Sequence, residues 1–278
     1  MLLPPRVRLI DALADAAHRL GVDSAQVELL SGTLGPVHYC IPAECPDGSK
    51  AVGFSATRTS SGPVSVLAAS ATLGRRDGAP FMHCHAAWLN ADGVVRAGHL
   101  WPETTVGQVP PHAVIHPLPG VHNRNADDPE TLLPVFTPHR GTAQTPTSGR
   151  RVAMSRLLPG EDVRAAADAI CVEAGFRRAV IRASVGSLVG PTFRRSDRLY
   201  PAVGAEPVTV VGGPCTEVMA LFGEAGPDVD SDAPLHAIAV DSDGAVHGGV
   251  VDTANSPVAV TVEVLVIEDA PRPGAARP

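Results

Sequence analysis

Two stretches of this chain, 151 residues apart, carry one pattern: FMHCHAAWLNADGVVRAGHL at 81–100 aligns with DAPLHAIAVDSDGAVHGGVV at 232–251, setting Asp92-Gly93 on Asp243-Gly244. The match extends upstream. LLPPRVRLIDALADAAHRLGV before QVELLSGTLGP corresponds to LLPGEDVRAAADAICVEAGF before AVIRASVGSLVGP. Each copy reads as a helix, a turn at Gly21 or Gly175, a strand and a glycine-containing corner. A repeated supersecondary unit folds as repeated structure, and 278 residues suffice for two cores.

Within the copies, Ile10, Leu13, Ala14, Ala17 and Leu20 recur at helical spacing, as do Val163, Ala166, Ala167, Ile170 and Ala174. Strand-like runs cover 65–72, 216–222, 258–267 and both hairpins. These elements predict an α+β chain of two tandem domains, each a mainly antiparallel sheet packed with one main helix. The expected boundaries are 1–116 and 151–270. Between them, 117–150 is rich in Pro, Gly, Asn and Thr and reads as a linker with little regular structure, although a segment of that length is often functional. The tail 271–278 is expected to be disordered.

Composition narrows the partners. Aromatic residues are 4% of the chain, so Ala, Val and Leu must fill the cores. The net charge is −7 and no Lys/Arg stripe is visible, which argues against a nucleic-acid partner. Five cysteines without a C-x-x-C pair suit free thiols in a reducing cytoplasm, and no apolar run approaches a membrane span. A soluble cytoplasmic protein with no membrane partner is the expectation.

The first hairpin carries the chemistry. His83 and His85 are two apart and share a strand face. A three-residue loop with Asn90-Ala91-Asp92 and Gly93 pairs Asn90 with Val94, which sets His85 opposite His99 and His83 opposite Trp101. Three imidazoles then meet where one metal ion can sit, zinc first, with iron or manganese also acceptable to imidazole. A solvated or core-lining histidine pair beside a turn is the bland alternative. The second hairpin keeps His236 but has Pro234 and Val250 in place of the other two histidines, and His247 falls on the opposite face, opposite Ala239. The metal is therefore expected in the first unit, with the second forming a wall of the pocket.

A catalytic role beside the metal needs a general base, and Glu103, alternating with His99 and Trp101, is the candidate; an exposed glutamate is the alternative. Trp101, Arg58 and His38 are candidate substrate-binding residues, against ordinary packing or surface roles. Cys84 alternates away from the histidines as an inert thiol. His116, His122 and His139 lie in or beside the linker and could close over the metal as a lid.

FMHCHAAWLNADGVVRAGHL resembles the central signature of the PPC domain family, the plants and prokaryotes conserved domain or DUF296: an H-x-H pair, a turn with Asp-Gly, and a closing Gly-His. PLHAIAVDSDGAVHGGVV keeps the pattern, and SVGSL and TVEVLVIED resemble further family segments. The resemblance implies a compact domain that assembles as a trimer, and a zinc site on His83, His85 and His99. Plant members bind DNA through an added AT-hook, and no R-G-R-P segment is present here. The functional expectation is a zinc-dependent hydrolase or lyase using metal-activated water on a small carbonyl compound or organic acid. The alternative is a non-catalytic PPC-type protein that binds metal or a small ligand, or serves in regulation. A homo-oligomer, with a trimer favoured, and a small-molecule substrate or ligand complete the expected partners.

Overall fold

The structure is a computed structural model that describes residues 1–60, 62–142, 150–194, 207–210, 213 and 215–269; the expected tail lies outside the described residues. The first helix, α1 (Leu9–Arg19), buries Leu9, Ile10, Leu13 and Ala17. The second, α2 (Val163–Ala174), starts where Asp162 accepts a hydrogen bond from the Ala165 N–H at 2.9 Å, satisfying a first-turn donor. It ends at Gly175, whose φ of +71° is the left-handed turn that glycine adopts without penalty.

Each helix covers one sheet. In the first unit the strands run Ala113–Pro117, Ala25–Leu29, Val64–Arg76, Ala79–Leu89, Val95–Leu100, His38–Cys40 and Arg58–Thr59 across the sheet. In the second the order is Val152–Leu157, Val258–Glu268, Ala179–Leu188, Thr216–Ala225, Leu235–Val240, Val246–Val251, Thr192–Arg194 and Pro207–Val210. From Ala113–Pro117 and Val258–Glu268 onward the two orders coincide strand for strand. The predicted duplication is thus one topology used twice, and α+β holds with a small helical share.

Side-chain alternation decides what lies between the sheets. Along Ala79–Leu89, Cys84, Ala86 and Trp88 join the core under α1, so His83, His85 and Ala87 point the other way. That opposite face meets the second sheet: Ile41, Ala87 and Ala97 pack on Met219 and Val240, and Leu118 packs on Ala183, Leu265 and Ile267. The two sheets therefore stand back to back, with a helix on each outer face.

An ion pair also crosses this boundary. Arg182 donates to both oxygens of Glu28, at 2.9 and 3.0 Å, and His116 lies 3.5 Å from the same carboxylate. Burial pushes the Glu28 pKa up, but the bonds from His116 and Arg182 outweigh it and hold the group below its ordinary value. A depressed carboxyl contributes stability that is present above the unfolded-state pKa and is lost as pH falls through the folded one. Arg182→Gln is expected to cost up to about 1 kcal/mol at pH 7, since the arginine is half exposed. Urea unfolding at successively lower pH should show that difference from wild type shrinking.

The 117–150 segment differs from its expectation. Val121–Asp127 and Pro134–Arg140 pair as an antiparallel hairpin, docked on the first sheet where Asn123 donates to the Leu73 carbonyl at 3.0 Å. Pro138 is tolerated because Pro134–Arg140 is an edge strand, bonded on one side only. At the hairpin's end, Asp128 and Arg156 of the second unit form a largely buried pair at 3.0 Å. Packing against both units, rather than local propensity, orders 121–140; residues 143–149 of the expected linker lie outside the described residues.

Candidate metal centre

The hairpin turn forms as its residues require. Asn90 N–H donates to the Val94 carbonyl at 3.0 Å, Gly93 has a φ of +77°, and the ladder sets His85 opposite His99. His83 is not paired with Trp101. The ladder between these strands ends at His85, and the Trp101 N–H donates instead to the His38 carbonyl at 2.8 Å as the chain turns at Pro102. The His83 and His85 Nε2 atoms are 3.1 Å apart, as are His85 Nε2 and His99 Nδ1. All three donor atoms lie within 4.8 Å of one another. Donors of a tetrahedral zinc ion, at about 2.0–2.1 Å from the metal, stand about 3.3 Å apart, which the two 3.1 Å separations match.

Its proton inventory points the same way. His85 Nδ1 is 3.0 Å from the Val218 carbonyl, which can only accept, so the proton is on Nδ1 and Nε2 carries a bare lone pair. His83 Nδ1 is 2.6 Å from Glu263 Oε2, an oxygen that also accepts from the Thr72 hydroxyl at 3.3 Å. In a neutral His83 ring, donation to that carboxylate likewise leaves Nε2 bare. Two lone pairs facing each other at 3.1 Å hold no proton between them and repel unless a cation lies there. Burial, reinforced by His83 and His99, holds the His85 pKa well below the imidazole range, and burial with His83 takes His99 down to about 3. Burial thus favours the neutral form of His85 and His99, the form in which imidazole binds a metal.

The second unit brings two acids to the cluster. Glu263 orients His83, and Glu217 Oε1 lies 3.7 Å from His85 Nε2 and 4.0 Å from His99 Nδ1. The Glu217 side chain is 4% exposed and its Oε2 has no hydrogen-bond partner among the described residues. Burial pushes its pKa up to about 8, against the His99 backbone N–H, which lowers it. Beside the cluster is a cavity of about 230 Å³ with Phe54, Phe81, Trp101, Val135 and Val260 among its walls. The linker hairpin and the second unit thus both line it.

Neither acid is among the residues that sequence reasoning selected. A signal existed for both: Glu217 interrupts the apolar run Cys215–Phe222, and Glu263 stands alone within the apolar β-branched stretch Val258–Ile267. The residues that were selected are divided. Trp101 lines the cavity, its ring centroid 5.1 Å from that of His99. Glu103 and His38 do not; they share a separate open cleft with Thr57, Pro102 and the other side of Trp101. Arg58 is exposed on a two-residue edge strand opposite Tyr39. His122 faces His139 across the hairpin and His116 is held by Glu28, so none of the three reaches the cavity. Cys84 is buried away from the histidines, and burial pushes its thiol up to about 12. In the second hairpin His236 pairs with Val250 and stacks on Phe222, while His247 is bonded to Asp241 at 2.8 Å.

Fold and site together define a tandem α+β protein with a three-histidine cluster facing the boundary between its halves. The family model of the Plants and Prokaryotes Conserved (PCC) domain matches residues 2–115 and again 144–269, and the chain belongs to that family as two tandem copies. No curated protein matches it. Among solved structures, it is similar to a "putative DNA-binding protein" from Ralstonia eutropha, at 18% identity and a TM-score of 0.41 over 49% of this chain and 88% of that one. A "putative DNA binding protein" from Bacteroides thetaiotaomicron is similar at 13% identity and a TM-score of 0.38, over 49% and 87%. A "metal-containing protein" from Archaeoglobus fulgidus is similar at 20% identity and a TM-score of 0.40, over 49% and 89%. These descriptions correct one expectation. The acidic net charge and the lack of a Lys/Arg stripe argue against nucleic acid, but two similar structures are each described as a "putative DNA-binding protein", so that exclusion does not stand. Among the described residues, no helix is long and apolar enough to cross a membrane.

Proposed function

We propose that this chain is a non-catalytic metal-binding protein, with a divalent ion, zinc by its donor set, held by His83, His85 and His99 at the boundary of the two PCC units. The observation that carries the reading is the pair of imidazole nitrogens 3.1 Å apart, each ring holding an acceptor at its other nitrogen. Three imidazoles suit zinc, although iron and manganese accept the same ligands. When bound, such an ion would stand at the wall of the cavity that the three histidines line. At about 230 Å³ and with mostly apolar walls, that cavity suits a compact apolar ligand. The hydrolase or lyase reading is weaker, because Glu103, the base it relied on, stands outside the cavity.

Metal analysis of the purified chain tests the reading. About one ion per chain is expected in wild type and none in His85→Ala. Full occupancy in that variant would sink the assignment.

A further inference from the structure

We infer that Glu217 of the second unit is the fourth protein ligand of the metal held by His83, His85 and His99, so that both units build one closed centre. This rests on the reading just given. Glu217 and Val218 act as a pair: the Val218 carbonyl accepts from His85 Nδ1–H, and the preceding side chain presents its carboxylate to the same ring's Nε2. Its Oε1 is 3.7 Å from one donor nitrogen and 4.0 Å from another. Those distances exceed the donor separation of a tetrahedral ion by only about 0.5 Å. The carboxylate thus stands next to two of the three donor nitrogens, on the side where a fourth ligand would complete the centre.

The rest of the side chain supports the assignment. A carboxylate at 4% exposure whose second oxygen has no partner is costly to keep in an apolar cavity. A cation beside it removes that cost. Glu263, from the same unit, fixes His83 one layer farther out. The second copy lost two of the three histidines at its own hairpin, yet it supplies both acids to the first. The ion then joins the back-to-back sheets as well as filling a site.

The test uses the full chain, metal-free and then loaded with Co²⁺ or Zn²⁺, in wild type, Glu217→Gln, Glu217→Leu, Glu263→Gln and His85→Ala. Wild type is expected to show the intense visible bands of four-coordinate cobalt. Glu217→Gln and Glu217→Leu should weaken and shift those bands as water enters. Their zinc affinity, measured by chelator competition, should fall by at least the ~10–100-fold typical of losing a partner one layer out. Glu263→Gln should lower affinity within that range and keep the wild-type spectrum. Metal-free Glu217→Leu should melt no lower than metal-free wild type, since it removes an unpaired buried carboxyl, and this separates ligation from folding. An unchanged cobalt spectrum with zinc affinity within about twofold of wild type in both Glu217 variants would overturn the inference. Metal retained in His85→Ala would remove the parent reading instead, so the two failures are distinguishable.

Discussion

Stripping the metal from the wild-type chain is expected to lower its melting temperature by about 10 °C, and His85→Ala should show no metal-dependent change. A ligand at about 1,000 times its dissociation constant stabilises the folded state by about 4 kcal/mol. For a chain of this size each kcal/mol moves the midpoint by roughly 2–4 °C. His85 is the decisive position because its ring faces both other donors and is 2% exposed, so its loss leaves two ligands that no longer share a centre. Differential scanning calorimetry of both proteins, with chelator and with equimolar zinc, checks this. A midpoint in wild type that ignores zinc would refute it.

Trp88→Ala should be the most damaging core substitution, at about 3–5 kcal/mol. The indole is 1% exposed, meets Tyr39 edge to face at 4.8 Å between centroids, and donates through Nε1 to Asn90 Oδ1 at 3.0 Å. It therefore ties the core under α1 to the first residue of the hairpin turn. Because Trp88 lies on the sheet face away from the histidines, the variant should still bind zinc wherever it remains folded. Urea unfolding with and without zinc measures both effects. A loss below about 1 kcal/mol would show that the site collapses around the missing ring.

Much of the site was legible before the fold was known. A side-chain period of two placed His83 and His85 on one face, and the Asn90 to Gly93 turn placed His99 opposite His85. The step to Trp101 failed because Pro102 turns the chain toward His38 before a further pair can form. Glu103 lies outside the cavity for the same reason, since alternation extended past a strand's end says nothing about direction. The hairpin at 121–140 is not legible in the sequence because proline and polar residues on an edge hairpin resemble those of a loop, and the apolar surface that orders it belongs to the units on either side.

The sequence by itself determined the duplication, the amphipathic helices, the hairpin register and the histidine face. Each depends on periodicity or turn chemistry acting over about twenty residues or fewer, or on comparing the chain with itself. Only the tertiary structure decided that the histidine face meets the second sheet, that Glu263 reaches His83 across 180 residues of chain, and that Glu217 stands beside His85 and His99. Those contacts follow from two sheets burying their inner faces against each other, where the cost of isolating a carboxylate depends on which groups share the interior and not on where they lie along the chain.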